Sequence, residues 1–273
     1  MDIGVPYRLL GHVDISEIAA RLTALPEKGW VHTDFNRQAV SGKEHAVAKT
    51  IYLRKDWHPG MHRSVRTSLW DVVEHWGRKW DGDREKVRPF MREDIGTLQI
   101  YTFWEMFEWH ELVAPILDTA AKALHKNRIT PQGRLAKMTR QGKSKAPESR
   151  PPGPPGPPGR SRYGVWIRVT FVKLPSKHVV NEHIDGQAVA ALTHRVHVAI
   201  SGAEGVEYRC DGLKFRVKNG DIFELNNRKP HAVINHGPGD RINMMLEYYP
   251  EPDPPKFALP QFRGGGVRQE ALT

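Results

Sequence analysis

Asp221-Ile-Phe-Glu-Leu225, His231-Ala-Val-Ile-Asn235 and Arg241-Ile-Asn-Met-Met-Leu-Glu-Tyr248 are three short runs, rich in apolar and β-branched residues, and they decide the fold class. Upstream, Val165-Trp-Ile-Arg-Val-Thr-Phe-Val172, His194-Arg-Val-His-Val-Ala-Ile200, Gly205-Val-Glu-Tyr-Arg-Cys210 and Leu213-Lys-Phe-Arg-Val217 have the same texture. Gly202, Asp211-Gly212, Asn219-Gly220 and Gly237-Pro-Gly239 punctuate these runs, and the Asn219-Gly220 pair favours a tight turn into Asp221. Short strands at this spacing predict an antiparallel β-sandwich or jelly roll.

Before these strands the signals are mixed. Lys49-Thr-Ile-Tyr-Leu-Arg54 predicts a strand. Leu69, Val72, Val73, Trp76 and Trp80 recur at three- and four-residue steps and predict a helix over Thr67 to Trp80. Leu112, Ile116, Leu117, Ala120 and Leu124 form the stripe of a second helix over Glu105 to Lys126, with Pro115 as a site for a kink. The expected organisation is an N-terminal α/β part (1–127) packing on the core, a Pro/Gly-rich insertion (128–162), a catalytic β core (163–250) and a C-terminal tail (251–273).

Of the 273 residues, 39% are hydrophobic and 26% charged, enough to bury a sizeable core. A single cysteine, Cys210, excludes an internal disulfide and any zinc site built from cysteines. No apolar run approaches the length of a membrane span, and Met1-Asp-Ile-Gly-Val-Pro lacks the pattern of a secretory signal. The expectation is a cytoplasmic protein with no membrane partner. The net charge of +10 is concentrated: ten Lys or Arg and one acid, Glu148, lie between Lys126 and Arg162, against 31 basic and 30 acidic residues elsewhere. A basic groove across the folded part is therefore not expected, and nucleic acid remains a partner only through the 128–162 segment. That segment has no apolar period and predicts disorder, with Pro151-Pro-Gly-Pro-Pro-Gly-Pro-Pro-Gly159 as a polyproline II spacer. A basic tether to nucleic acid, and a proline-rich segment presented to an enzyme, are the other readings of the same run.

The chemistry lies in the β half. His183-Ile184-Asp185 places an imidazole and a carboxylate on one face of extended chain. His231 follows 46 residues after Asp185. Two neutral imidazoles and one carboxylate on a triangular face suit Fe(II) and leave three positions for a co-substrate and oxygen. Alternation in His194–Val198 puts Arg195 and His197 on one face, opposite Val196, Val198 and Ile200, and such a buried pair calls for an anion. Arg241, at the head of an apolar strand, offers a fork that binds a carboxylate in a bidentate fashion. Asp185 as a turn residue before Gly186, and Arg241 as an ion-pair residue, are the plain alternatives.

His183-x-Asp185, Thr193-His-Arg-Val-His-Val-Ala-Ile200, Gly220-Asp-Ile-Phe-Glu-Leu-Asn-Asn227, Pro230-His-Ala-Val-Ile-Asn235 and Asp240-Arg-Ile242 together resemble the aspartyl/asparaginyl β-hydroxylase family. The resemblance is strong over residues 163–250 and only general before residue 127. It implies a mainly β chain with flanking helices and a double-stranded β-helix core, the jelly roll of cupin-like proteins. It implies an Fe(II)- and 2-oxoglutarate-dependent dioxygenase that uses O2 to hydroxylate an Asp, Asn or Pro side chain, free or in a peptide or protein. His183, Asp185 and His231 would hold iron. Arg241 would pair with the distal carboxylate of 2-oxoglutarate, and Arg195 and His197 would lie near its metal-bound end. Some animal members of the family lack the acidic ligand, so the presence of Asp185 aligns this chain with bacterial amino-acid hydroxylases and argues against a halogenase. Two other classes stay open: a cupin-like metalloenzyme of another reaction type, which would not need Arg241, and a non-enzymatic jelly-roll module binding nucleic acid or an acidic partner through the basic loop.

Overall fold

The runs between Val165 and Tyr248 are strands in the computed structural model, and the way they divide between two sheets sets the fold. The structure describes residues 1–27, 30–32, 48–57, 92–95, 98–102, 109–126, 160–161, 164–185 and 188–250. The N-terminal part carries β1 (Tyr7–His12), α1 (Ser16–Ala24), β2 (Val31–His32), β3 (Lys49–Trp57), β4 (Arg92–Ile95), β5 (Leu98–Thr102) and α2 (His110–Lys126). The C-terminal part carries β6 (Arg160–Ser161), β7 (Gly164–Leu174), β8 (Val179–His183), α3 (Ala188–Leu192) and β9 (His194–Ser201). After a 3-10 turn at Ala203–Gly205 come β10 (Val206–Cys210), β11 (Leu213–Phe215), β12 (Asp221–Leu225), β13 (His231–Asn235) and β14 (Arg241–Tyr249).

From β7 onward the chain passes back and forth between the sheets. Strands β12, β9, β14 and β7 lie side by side in the large sheet, and β11, β10, β13 and β8 make the small one. This alternation, with every pair antiparallel, is a double-stranded β-helix, or jelly roll, of cupin type. The N-terminal strands extend the large sheet at both edges: β1 pairs with β12, and β3 pairs with β7 and leads on to β5 and β4. The protein is mainly β with flanking helices, as its sequence motifs imply.

Two apolar layers hold this arrangement. Ile18 and Leu22 of α1, with Val113, Ile116, Leu117, Ala120 and Leu124 of α2, pack on Phe171, Val196, Val198, Met244 and Leu246 of the large sheet. Between the sheets, Leu174, Val180, Ala199, Val206, Tyr208, Phe215, Phe223 and Val233 form a second cluster. The large sheet is covered on both faces, so every residue of β14 is buried and its sequence lacks a solvated, polar alternation. Pro115 lies within α2 on its exposed side. Among the described residues, no helix is long and apolar enough to cross a membrane.

Several boundaries differ from the sequence reading. The second helix begins at His110, where the Trp109 carbonyl accepts the Val113 N–H at 3.0 Å; residues 105–108 lie outside the described residues. Leu213–Val217 is a strand only to Phe215, because Val217 turns into the inter-sheet cluster. Strand β3 runs on to Trp57. The helix expected over Thr67 to Trp80 and the Pro-Pro-Gly run lie outside the described residues, and residues 160 and 161 at the end of the insertion form β6 against β7. Strands β1, β2, β4, β5, β6 and β8 and helices α1 and α3 were not anticipated.

Gly220 shows how tightly the turn into β12 is specified. Its φ is +88°, and a Cβ there would stand 2.6 Å from the Val13 carbonyl oxygen. Gly212 also has a positive φ, +78°, but a Cβ on it would meet nothing within 4 Å. Gly212→Ala therefore isolates backbone strain, about 1 kcal/mol, whereas Gly220→Ala adds a steric clash and destabilises by about 2–3 kcal/mol. Urea denaturation of both variants checks this, and equal losses would contradict the steric account.

Candidate metal centre

Strand β13 lies between β10 and β8, and this order brings distant residues together. His231 at the start of β13 is the direct cross-strand partner of His183 at the end of β8, with ring centroids 4.3 Å apart. Asp185 follows two residues beyond His183, with its backbone tied to the β12–β13 connection. Its N–H donates to the Asn227 carbonyl at 3.1 Å, and its carbonyl accepts from Arg228 Nη1 at 2.6 Å. His183, Asp185 and His231 each present one ligand atom, and these atoms lie within 4.8 Å of one another. His183 Nε2 and Asp185 Oδ1 are 3.8 Å apart.

Hydrogen bonding sets the tautomers of both histidines. Nδ1 of His183 lies 2.8 Å from the Asn181 carbonyl, and Nδ1 of His231 lies 2.9 Å from the Lys229 carbonyl. A carbonyl only accepts, so in each ring the proton sits on Nδ1 and the Nε2 lone pair is left for an ion. Burial, then the neighbouring His183, lowers the His231 pKa from 6.5 to about 4, which keeps the ring neutral near neutrality. The donor set of two imidazoles and one carboxylate, with both Nδ1 atoms held by carbonyls, fits a divalent transition metal.

The floor beside this triad comes from the large sheet. Alternation along β14 sends Arg241, Asn243, Met245 and Glu247 to one face, while Ile242, Met244, Leu246 and Tyr248 join the cluster under the helices. Along β9, Val196, Val198 and Ile200 face the helices and Ala199 faces the inter-sheet cluster, as the parity of the sequence predicts. His197, of the same parity as Ala199, stacks on Phe223 at 5.2 Å. Asn243 Nδ2 donates to His197 Nδ1 at 2.9 Å, so the His197 proton is on Nε2. Burial, then Arg195 and Arg241, pushes the His197 pKa well below its usual value. Arg241, 5% exposed, donates from Nη2 to the Tyr208 hydroxyl at 2.9 Å and lies over that ring. Arg195 pairs with Asp185 Oδ2 at 2.8 Å and with Glu247.

Among the described residues, His197 Nε2, Arg241 Nε, Arg195 Nε and Asn243 Oδ1 are buried without a hydrogen-bond partner. Glu247 Oε2 is orphaned in the same region as well; the three unpartnered donors, on His197, Arg195 and Arg241, suit an anion. The structure thus gathers all six residues singled out from the sequence into one region between the sheets. It adds Tyr208, Asn243 and Glu247, which the sequence reading passed over. Asn243 and Glu247 carried a usable signal: they stand two and six residues after Arg241, on the same face of the same strand.

The lowered pKa of His231 has a stability consequence. Folded His231 protonates near 4 and unfolded histidine near 6.5, so the unfolded chain binds more protons between these values. The stabilising contribution is complete above about pH 6.5 and is lost as the pH falls toward 4. Metal-free wild type should lose stability between pH 7 and pH 5, and His231→Gln should lose less, by on the order of 1–2 kcal/mol. Denaturation curves of both proteins at the two pH values measure this, and an identical pH dependence would contradict the buried neutral imidazole.

No curated protein matches the chain. Among solved structures it is similar to a conserved protein of unknown function from Streptococcus pyogenes, at 18% identity and a TM-score of 0.25, over 31% of this chain and 65% of that one. A predicted oxalate decarboxylase from Thermotoga maritima is 17% identical with a TM-score of 0.26, over 31% and 67% of the two chains. A cupin superfamily protein from Desulfitobacterium hafniense is 12% identical with a TM-score of 0.25, over 33% and 71%. The similarity thus spans about two thirds of the length of these three proteins. The family model described as aspartyl/asparaginyl beta-hydroxylase matches residues 160–250. That segment contains all three candidate ligands and the floor beneath them, and it is matched by the same hydroxylase family that its motifs resemble.

Proposed function

We propose that this chain is an Fe(II)- and 2-oxoglutarate-dependent dioxygenase that hydroxylates an amino-acid side chain, free or within a peptide or protein. The observation that carries the reading is the convergence of His183, Asp185 and His231 beside a deeply buried guanidinium, Arg241. A metal-binding fold alone would explain the triad. The unpartnered donors on Arg241 and His197 call in addition for an anion with two separated acceptor groups, and a dicarboxylate that also chelates the metal meets that demand.

The residues divide the work. His183 and His231 donate Nε2 lone pairs, and their Nδ1–H bonds to carbonyls hold the rings in place and raise their basicity. Asp185 supplies the third, anionic ligand and leaves the remaining positions open. Arg241, held by Tyr208, binds the distal carboxylate of 2-oxoglutarate, and neutral His197 donates from Nε2 near the metal-bound end, with Arg195 beside it. When bound, Fe(II), 2-oxoglutarate and O2 supply the oxidising power, with decarboxylation to succinate coupled to hydroxylation of a C–H bond. The side chains of His183 and Asp185 are 19% and 20% exposed, so substrate approaches from their side. Aspartate, asparagine and proline, free or in peptides, are the substrates to test. The Pro151–Gly159 run of the chain itself is one such peptide.

Anaerobic titration with Fe(II) and then 2-oxoglutarate tests the assignment through the visible metal-to-ligand charge-transfer band. Wild type is expected to show the band and His231→Ala to lose it. Arg241→Ala is expected to retain it but to need roughly 30-fold more 2-oxoglutarate or beyond, as for other truncated buried charge pairs. Metal binding with no band would favour a metalloenzyme of another reaction type, and a folded wild type that binds no metal would end the oxygenase reading.

A further inference from the structure

Glu247 is an acid in a strand whose every residue is buried. It is 0% exposed, and its Cα partners across the sheet are Arg195 on β9 and Arg168 on β7, which are 7% and 8% exposed. Oε1 of Glu247 accepts from Arg168 Nη1 at 3.2 Å and from Arg195 Nη2. The same Arg195 Nη2 is 2.8 Å from Asp185 Oδ2. One guanidinium nitrogen therefore joins two carboxylates, one a candidate metal ligand and the other buried behind it. On stability alone such a charged cluster has no advantage over apolar residues of the same volume.

We infer that Glu247 is a positioning residue of the metal centre, acting through Arg195 on the carboxylate of Asp185; the inference rests on the reading that His183, Asp185 and His231 bind a divalent metal. Two effects follow from the geometry. Arg195 forms an ion pair with Oδ2 of Asp185, and Oδ1 is the oxygen on the side of His183, 3.8 Å from its Nε2. Glu247 also neutralises Arg195. Without it the full guanidinium charge would fall on Asp185, drawing the carboxylate away from the ion and repelling the cation. With it, Arg195 orients the ligand at little electrostatic expense. Outer partners that orient a metal ligand in this way change metal affinity by 10–100-fold when removed.

Glu224 is a matched control. It is also 0% exposed and also paired with an arginine and a histidine, Arg8 and His194, but it touches none of the candidate ligands. Titration calorimetry of the full chain with Co(II), under anaerobic conditions, gives the affinity directly. Glu247→Gln is expected to weaken Co(II) binding by about 10–100-fold and Glu247→Asp, which keeps the charge, by less, while Glu224→Gln loses stability yet binds within about twofold of wild type. Should Glu247→Gln fail to fold, Glu247→Asp carries the test against Glu224→Gln, with a weakening of about threefold or more. The inference is overturned if folded Glu247 variants bind Co(II) as wild type does, or if Glu224→Gln loses as much affinity. A wild type that binds no Co(II) would overturn both the inference and the functional reading, so the two failures are told apart.

Discussion

The pairing of β14 with β9 on one side and β7 on the other is the constraint on which the rest of the structure depends. Successive side chains leave a strand on opposite faces, so this one ladder sorts eight residues into two sets. Ile242, Met244, Leu246 and Tyr248 seal the sheet against the helices, and Arg241, Asn243, Met245 and Glu247 face the interior. A slip by one residue would bury four apolar side chains where the anion is expected and drive two charges under α1 and α2. Register is therefore specified by both layers at once, and the candidate site is a by-product of correct closure.

The candidate metal centre draws its parts from both sheets. The two imidazoles come from β8 and β13 of the small sheet, and the guanidinium and carboxylate behind Asp185 come from β9 and β14 of the large one. Among the described residues, helices α1 and α2 cover the far face of the large sheet. Burial does two separate jobs here. It holds His231 and His197 neutral, and it makes every unpaired polar atom in the cavity a demand for a ligand. The unpartnered donors on His197, Arg195 and Arg241 suit an anionic ligand.

The strands from Val165 to Tyr248 were legible in the sequence because turn residues bound each run, and the faces of β9 followed from parity alone. Strand β8 escaped notice for a physical reason. It lies at an edge of the small sheet, Val179 and two of its other residues are exposed, and Val-Val-Asn-Glu-His offers too little apolar contrast to mark a strand. Strand β1 is long-range in origin: its place is set by pairing with β12 more than 200 residues away and by Tyr7 stacking on Phe215 at 3.7 Å. Glu247 was hidden by its setting, since an acid inside an apolar run reads as a strand end until its partners on neighbouring strands are known. The candidate ligands His183 and Asp185 stood out in the sequence by their spacing. Their nearness to His231 needed the strand order, which the motifs carried only through the family resemblance.

Diffraction from crystals grown anaerobically with Fe(II) and 2-oxoglutarate tests the central claim most directly, through anomalous differences recorded at the iron edge. The account predicts one strong peak among His183 Nε2, His231 Nε2 and the Asp185 carboxylate, with density for a dicarboxylate running from the ion to Arg241. A peak elsewhere, or an ordered triad with no metal, would contradict it.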